Sequence, residues 1–293
     1  MGLFSKASKQ APLPADAKTA KLNIAVLLSD MVLLDVGVFK RYYKAVCGSR
    51  ASVTEIPLEK KDVGEFQRLD LESEGRKLVL SLRSGPLPQQ LVSMMGQMTE
   101  LSVLGSDMAE DEVNALKNHQ AHAVVGGLTF EDHNDPQRPI NQAWLAAETL
   151  LTLFEHRKEF IGYAPVAAQV YRPRRWLVAR TTETKIAQAD LFMLLGNLQF
   201  HTGELNWMHT LGMEQFGQPD LEVWFADRDK GNIYFELLGN AAMYSISKSL
   251  LMLGNTFELE GMPEKYKLVA PKEVKNHQWG KFGTLGLEPV TKS

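Results

Sequence analysis

Four residues able to move a proton or bind a cation, His201, Glu204, His209 and Glu214, fall close together, and two further carboxylates, Asp220 and Glu222, follow them. Imidazole titrates near neutral pH, a carboxylate can orient it or accept the proton, and both types bind divalent ions. Asp220 and Glu222 stand two positions apart, so on a strand they share a face, where like charges alter one another's proton affinity. These residues would suit metal-assisted hydrolysis, with a metal polarising the electrophile while a carboxylate or histidine activates water. A solvated strand edge accounts for the acidic pair equally well. Because the spacing is irregular, no metal is assigned. Trp207, Met208, Met213 and Phe216 either fill an apolar core or line a ligand cleft with the charged neighbours at its rim.

Other constellations carry less chemistry. His119-x-x-His122 would need a helical turn to bring its rings together, and zinc would need further ligands, for which Glu131, Asp132, His133 and Asp135 are candidates. No metalloprotease helix motif accompanies them, and a helix end followed by a polar loop explains them more simply. Gly126-Gly127 lacks both the dinucleotide fingerprint and a phosphate-loop lysine. Arg172-Pro173-Arg174-Arg175-Trp176 is the clearest basic patch; it reads as a solvated or partner-facing loop, since phosphate recognition draws on a wider positive surface. Cys47 lies among Tyr42, Tyr43 and Val46 and reads as a buried structural thiol.

The acidic pair must be placed by its neighbours. Gly212, Gly217 and Pro219 punctuate a turn that prepares a strand at 221–226, and the polar run 227–232 suits a hairpin to a second strand at 233–238. An apolar helix is expected at 240–252 and a short strand at 256–259. Upstream, strands are expected at 22–28, 52–58, 77–83 and 121–128, and helices at 36–45, 89–97, 139–154 and 184–198. Pro139 suits a helix start because it sacrifices no internal backbone bond. Residues 59–68 read as a polar connection and 159–175 as a transition. Strands alternating with helices predict an α/β or α+β protein, with mixed or antiparallel sheets covered by helices and two related subdomains. The expected units are a lead at 1–19, subdomains at 20–165 and 166–287, and a frayed tail at 288–293; the aromatic stretch before that tail should lie across the body.

Met213, Glu214, Phe216, Gly217, Pro219, Asp220, Leu221 and Glu222 resemble the corresponding motif of the bacterial DUF4261 family, a family without an assigned function. The resemblance extends to Asn240-Ala241-Ala242-Met243-Tyr244 and Gly254-Asn255-Thr256, and more loosely to Gly85-Pro86-Leu87-Pro88 and residues 119–125. It implies a shared bacterial domain and supplies no catalytic residues.

Composition narrows the field further. A formal charge of −3, from 32 Lys and Arg against 35 Asp and Glu, gives no general field for a polyanion, so nucleic acid is not an expected partner. One cysteine excludes an intramolecular disulfide framework and points to a reducing compartment, the cytoplasm. No uninterrupted apolar run reaches membrane-span length, and Lys6 stands where a myristoylation pattern after Gly2 wants Ser or Thr. The leading expectation is a non-enzymatic protein-binding or accessory module without a cofactor. Its expected contact residues are Trp207, Met213, Phe216, Arg172, Arg174 and Arg175. The competing reading is the metal-assisted hydrolase built on His201, Glu204, His209, Glu214, Asp220 and Glu222. The apolar helices near 140–154 and 241–252 also offer surface for a homodimer.

Overall fold

The computed structural model describes residues 22–59, 64–102, 108–126, 138–175, 191, 194–202, 204–247, 252–258, 264–272 and 282–290, without the side chains of 138–139, 155–156, 201–202 and 257. The expected lead at 1–19, most of the expected helix at 184–198, and Glu131, Asp132, His133, Asp135 and Trp176 lie outside the described residues.

β1 (Asn23–Leu28) is apolar at nearly every position because it is covered on both faces. It lies between two antiparallel neighbours, β5 (Ala121–Gly126) and β6 (Phe160–Pro165). The remaining strands of this sheet are β2 (Ser52–Glu55), β3 (Glu65–Ser73), β4 (Arg76–Ser84) and β7 (Arg172–Pro173), and the order is β2-β3-β4-β5-β1-β6-β7. Strand alternation divides its core. Ile24, Val26 and Leu28 pack with Phe39, Tyr43 and Cys47 of α1 (Val36–Cys47) and with Ala143, Leu150 and Phe154 of α4 (Arg138–His156). Ala25 and Leu27 point the other way, toward Val92 and Met95 of α2 (Gln89–Glu100) and Leu116 of α3 (Glu110–Lys117).

A second sheet contains β8 (Gly196–Thr202), β9 (Leu205–Leu211), β10 (Asp220–Phe225), β11 (Thr256–Glu258), β12 (Lys265–Val269) and β13 (Thr284–Pro289), in the order β11-β12-β13-β10-β9-β8. Its pairs are antiparallel except β10 with β13, which run parallel. α5 (Gly231–Ser247) covers one face, and the same apolar cluster that includes α1 and α4 continues through Met208, Leu221, Val223, Leu237 and Ala241. The protein is therefore α+β, with antiparallel and mixed sheets covered by helices.

Several expected elements are corrected. Residues 233–238 form the start of α5, not a hairpin strand: Leu237, Leu238, Ala241, Ala242, Ser245 and Ile246 are buried at helical spacing. A short apolar run looks alike in a buried strand and a buried helix, and only the unbroken continuation to Ser247 decides. β3 occupies part of the stretch expected as a connection, and β6 and β7 occupy the expected transition. Residues 196–198 belong to β8 and not to a helix. The later part of the chain does return to the body through β12 and β13.

Candidate functional site

The β9–β10 ladder brings several of the candidate residues together. Glu222 is paired with His209, and Trp224 with Trp207. Paired residues share a face, so a carboxylate, an imidazole and two indoles line the side of the sheet opposite Met208 and Val223. Glu222 is fully buried. Its Oε2 accepts a hydrogen bond from Trp207 Nε1 at 2.8 Å, and its Oε1 accepts from Trp224 Nε1 at 3.1 Å and from the Lys272 backbone N–H at 2.7 Å. Buried carboxylates need such donors to offset lost hydration. Phe200, Trp207 and Trp224 stack across three strands, with centroids 5.2 and 5.8 Å apart, and Lys272 Nζ lies 5.5 Å from the Trp224 centroid.

His209 is buried beside this cluster, its ring 5.2 Å from that of Trp207 and its Nε2 3.4 Å from Thr284 Oγ1. Gly286, two residues beyond Thr284 on β13, leaves room for the network: a Cβ there would come within 2.9 Å of Val269 Cγ2 and 3.7 Å of Glu222 Oε1.

Asp220 begins β10 but is bonded elsewhere. Its Oδ1 accepts from Thr210 Oγ1 at 3.1 Å and from the Met213 backbone N–H at 3.2 Å. The Thr210 hydroxyl in turn accepts from Leu221 N–H at 2.8 Å, replacing a backbone acceptor where the β9–β10 ladder ends. Burial pushes the Asp220 carboxyl up to about 7; the two hydrogen bonds oppose this, and the nearby negative charge of Glu214 adds to it. The solvated-edge reading of the acidic pair is therefore corrected: both carboxylates are buried, because polar side chains and backbone groups satisfy them inside the fold.

The turn between β9 and β10 holds this arrangement in place. Gly212 and Gly217 adopt left-handed φ values of 101° and 71°, flanking a single 3-10 turn at Met213–Phe216. Met213 and Phe216 enter the core, Gln215 Nε2 donates to Leu194 O at 2.7 Å, and Gln218 Nε2 donates to Ser245 O at 2.9 Å. Ser245 Oγ also donates to Gln218 Oε1. The turn at 212–218 is thus a packing hub joining the second sheet to α5.

The other candidates separate from this cluster. Glu204 is exposed at the β8–β9 turn. In the ladder His201 stands opposite Asn206 while His209 stands opposite Leu198, alternating positions of the sheet, and the His201 side chain lies outside the described residues. Among the described residues, no three His, Cys, Asp or Glu side chains form a group that could hold a metal ion.

Of the residues expected to make binding contacts, all but the exposed Arg175 are turned inward. Trp207, Met213 and Phe216 are buried. Arg172 is buried and donates to Leu195 O, while Arg174 donates to Arg157 O at 2.7 Å, to Phe160 O at 3.3 Å and to Phe154 O, capping the end of α4. Arg175 pairs with Glu112 of α3 and holds that carboxyl below its ordinary range. Arg172 and Arg174 thus serve internal contacts, while Arg175 is exposed and makes a surface ion pair, as the solvated-loop reading expected of it.

His119 and His122 also serve the fold. His119 Nε2 accepts from Leu87 N–H at 2.8 Å while Nδ1 lies 2.7 Å from Leu116 O, and His122 Nδ1 lies 2.9 Å from Gly85 O. Burial lowers the proton affinity of both rings. Cys47 is buried, and burial pushes its thiol up, away from nucleophilic character.

What sequence reasoning missed is an exposed segment between β1 and α1. Val32 and Leu34 enter the core, whereas Met31 and Leu33 are 58% and 64% exposed. Gln67 clamps this segment, its Oε1 accepting from Leu34 N–H and its Nε2 donating to Leu34 O, both at 2.9 Å. The alternation in Met31-Val32-Leu33-Leu34 is invisible in an all-apolar run, so no sequence signal distinguished the outward pair. Among the described residues, no helix is long and apolar enough to cross a membrane. No family model, curated protein or solved structure matches the chain.

Proposed function

We propose that this chain is a non-enzymatic protein-binding module that acts through the segment preceding α1. The observation carrying this reading is the outward pair Met31 and Leu33 on backbone fixed by Gln67. Exposed apolar side chains on ordered backbone lose little conformational freedom when covered, so a partner gains their burial at low entropic cost. Isolated exposed apolar residues are ordinary, but two of them on one side of a clamped segment make an anchor.

The chemistry of the β9–β10 cluster supports the same choice. Both oxygens of Glu222 already accept hydrogen bonds from fixed N–H donors, which leaves it poorly disposed to take a proton from substrate or activate water. The DUF4261-like motif sits in this cluster and names no activity; kinship with that bacterial family is part of the proposal. A reducing cytoplasm suits the single buried thiol.

Quantitative affinity capture from the native cell, comparing the wild-type chain with Met31→Asp/Leu33→Asp, tests the proposal. A reproducible partner retained by the first and lost by the second is expected. The same proteins captured by both would reject this surface as the contact.

A further inference from the structure

The outward side of α1 carries Lys40, Arg41 and Lys44, with Arg50 just beyond its end, and all four are exposed. The helix contains no acidic residue at all. Lys40 and Lys44 are four apart and Arg41 and Lys44 three apart, spacings at which like charges repel along a helix. Among the described residues none of the four forms a salt bridge, although ion pairs occur on β3, β4 and α3. Lys44 gains some compensation from the helix C-terminus; Lys40 and Arg41 stand further back.

This basic side follows the apolar pair closely along the chain. Asp35, two residues beyond Leu33, caps α1 by accepting from Val38 N–H at 2.9 Å, so the helix begins directly after the apolar pair. A Cβ on Gly37 would lie 3.3 Å from that same carboxylate oxygen, so glycine leaves the cap room. Tyr42 adds an exposed ring, 45% accessible, on a flank of the helix. The result is an apolar anchor point followed along the chain by exposed positive charge on a helical scaffold.

We infer that this surface receives a short acidic segment of a partner protein, with an apolar residue against Met31 and Leu33 and carboxylates against Lys40, Arg41 and Lys44. The inference rests on the protein-binding reading above and specifies the partner's chemistry. A continuous polyanion fits less well, because the exposed carboxylates of Asp30 and Asp35 flank the apolar pair and would face its negative surface. A discrete segment can place its acids beyond them. Complementary charge would also steer encounter and make association sensitive to salt.

The test selects a random peptide library on the full chain, with counter-selection on Lys40→Glu/Arg41→Glu/Lys44→Glu. Circular dichroism and thermal melting should show that the variant folds, since the replaced side chains are exposed. Selected peptides are expected to be enriched in Asp and Glu beside an apolar residue. Fluorescence anisotropy should give binding about tenfold weaker to the charge-reversed chain, equivalent to about 1.4 kcal/mol. Met31→Asp/Leu33→Asp should also weaken binding, and peptides with Lys in place of the acids should prefer the charge-reversed chain. Peptides without acidic enrichment, or equal affinity for both chains, would overturn the inference. So would binding of phosphatidylserine vesicles or duplex DNA, or self-association of the chain, that is lost on charge reversal when acidic peptides do not bind. If a captured cellular partner is lost from Met31→Asp/Leu33→Asp but kept by the charge-reversed chain, the acidic-segment inference fails while the protein-binding proposal stands.

Discussion

Three N–H donors converge on Glu222, two from indoles and one from the Lys272 backbone, so the carboxylate ties β9, β10 and the returning chain together. Glu222→Gln preserves shape but turns an amide donor toward one of these donors. We expect a loss of about 2 kcal/mol, the scale of a buried hydrogen-bonding mismatch, measured by urea unfolding and accompanied by altered tryptophan emission. An unchanged midpoint would contradict the assigned role. Asp220 has a different signature. Its folded-state proton affinity is raised from 3.8 to about 7, so its favourable contribution is full below the unfolded value and is lost as pH rises through the folded value. The loss amounts to about 4 kcal/mol at full extent, as an order of magnitude. Asp220→Asn should flatten the fall in stability across this interval, read as the wild-type minus variant difference so that other titrating groups cancel. Parallel stability profiles would sink the assignment. His119 works in the opposite sense: burial lowers its proton affinity, so its contribution fades as pH falls below the histidine range.

Phe154 O, a terminal carbonyl of α4 without a continuing helical turn, accepts from Arg174, which also donates to Arg157 O just past the helix and to Phe160 O at the start of β6. Arg174→Ala should therefore cost about 2 kcal/mol, with hydrogen exchange quickening first in the last turn of α4. Exchange that quickens uniformly, or not at all, would argue against local capping. This interaction explains why the arginine-rich stretch misled sequence reasoning: charge is visible in one dimension, but the carbonyls that consume it arrive from another element. Legibility elsewhere follows similar physics. α1, α2 and α4 were readable from apolar spacing and from Pro139, and β1, β4, β5 and β10 from apolar runs bounded by turns. β3 was hidden because its half-buried positions carry Arg68, Asp70 and Glu72 and its buried ones include Gln67 and Ser73, so the run is rich in polar residues and resembles a connection. The first turns of α5 were hidden because their burial gives no clear amphipathic contrast. In the candidate site, alternation correctly placed Glu222 toward a shared face. It could not reveal the indoles and tail amide that surround it, since these come from positions far apart in sequence.

At the scale of the molecule, one apolar cluster runs from α1 through α4 into α5 and the second sheet. The stripes of α4 and α5 that suggested a homodimer are used in this core, including Ala143, Leu150, Ala241 and Ile246. We therefore expect light scattering to give the mass of a single chain over a concentration series; a mass that climbs toward twice that value would contradict this use of the helices. The small net charge concealed a local basic face because acids elsewhere cancel it in the sum. On the proposed protein-binding reading, a partner docks at that face and at Met31 and Leu33. The most direct measurement places a photo-crosslinking amino acid at Leu33 and, as a control, at the exposed Glu204 turn, then irradiates the native cell. A discrete protein adduct is expected from position 33 and not from position 204. Irradiation that yields no adduct at 33, or the same adducts at both positions, would contradict it.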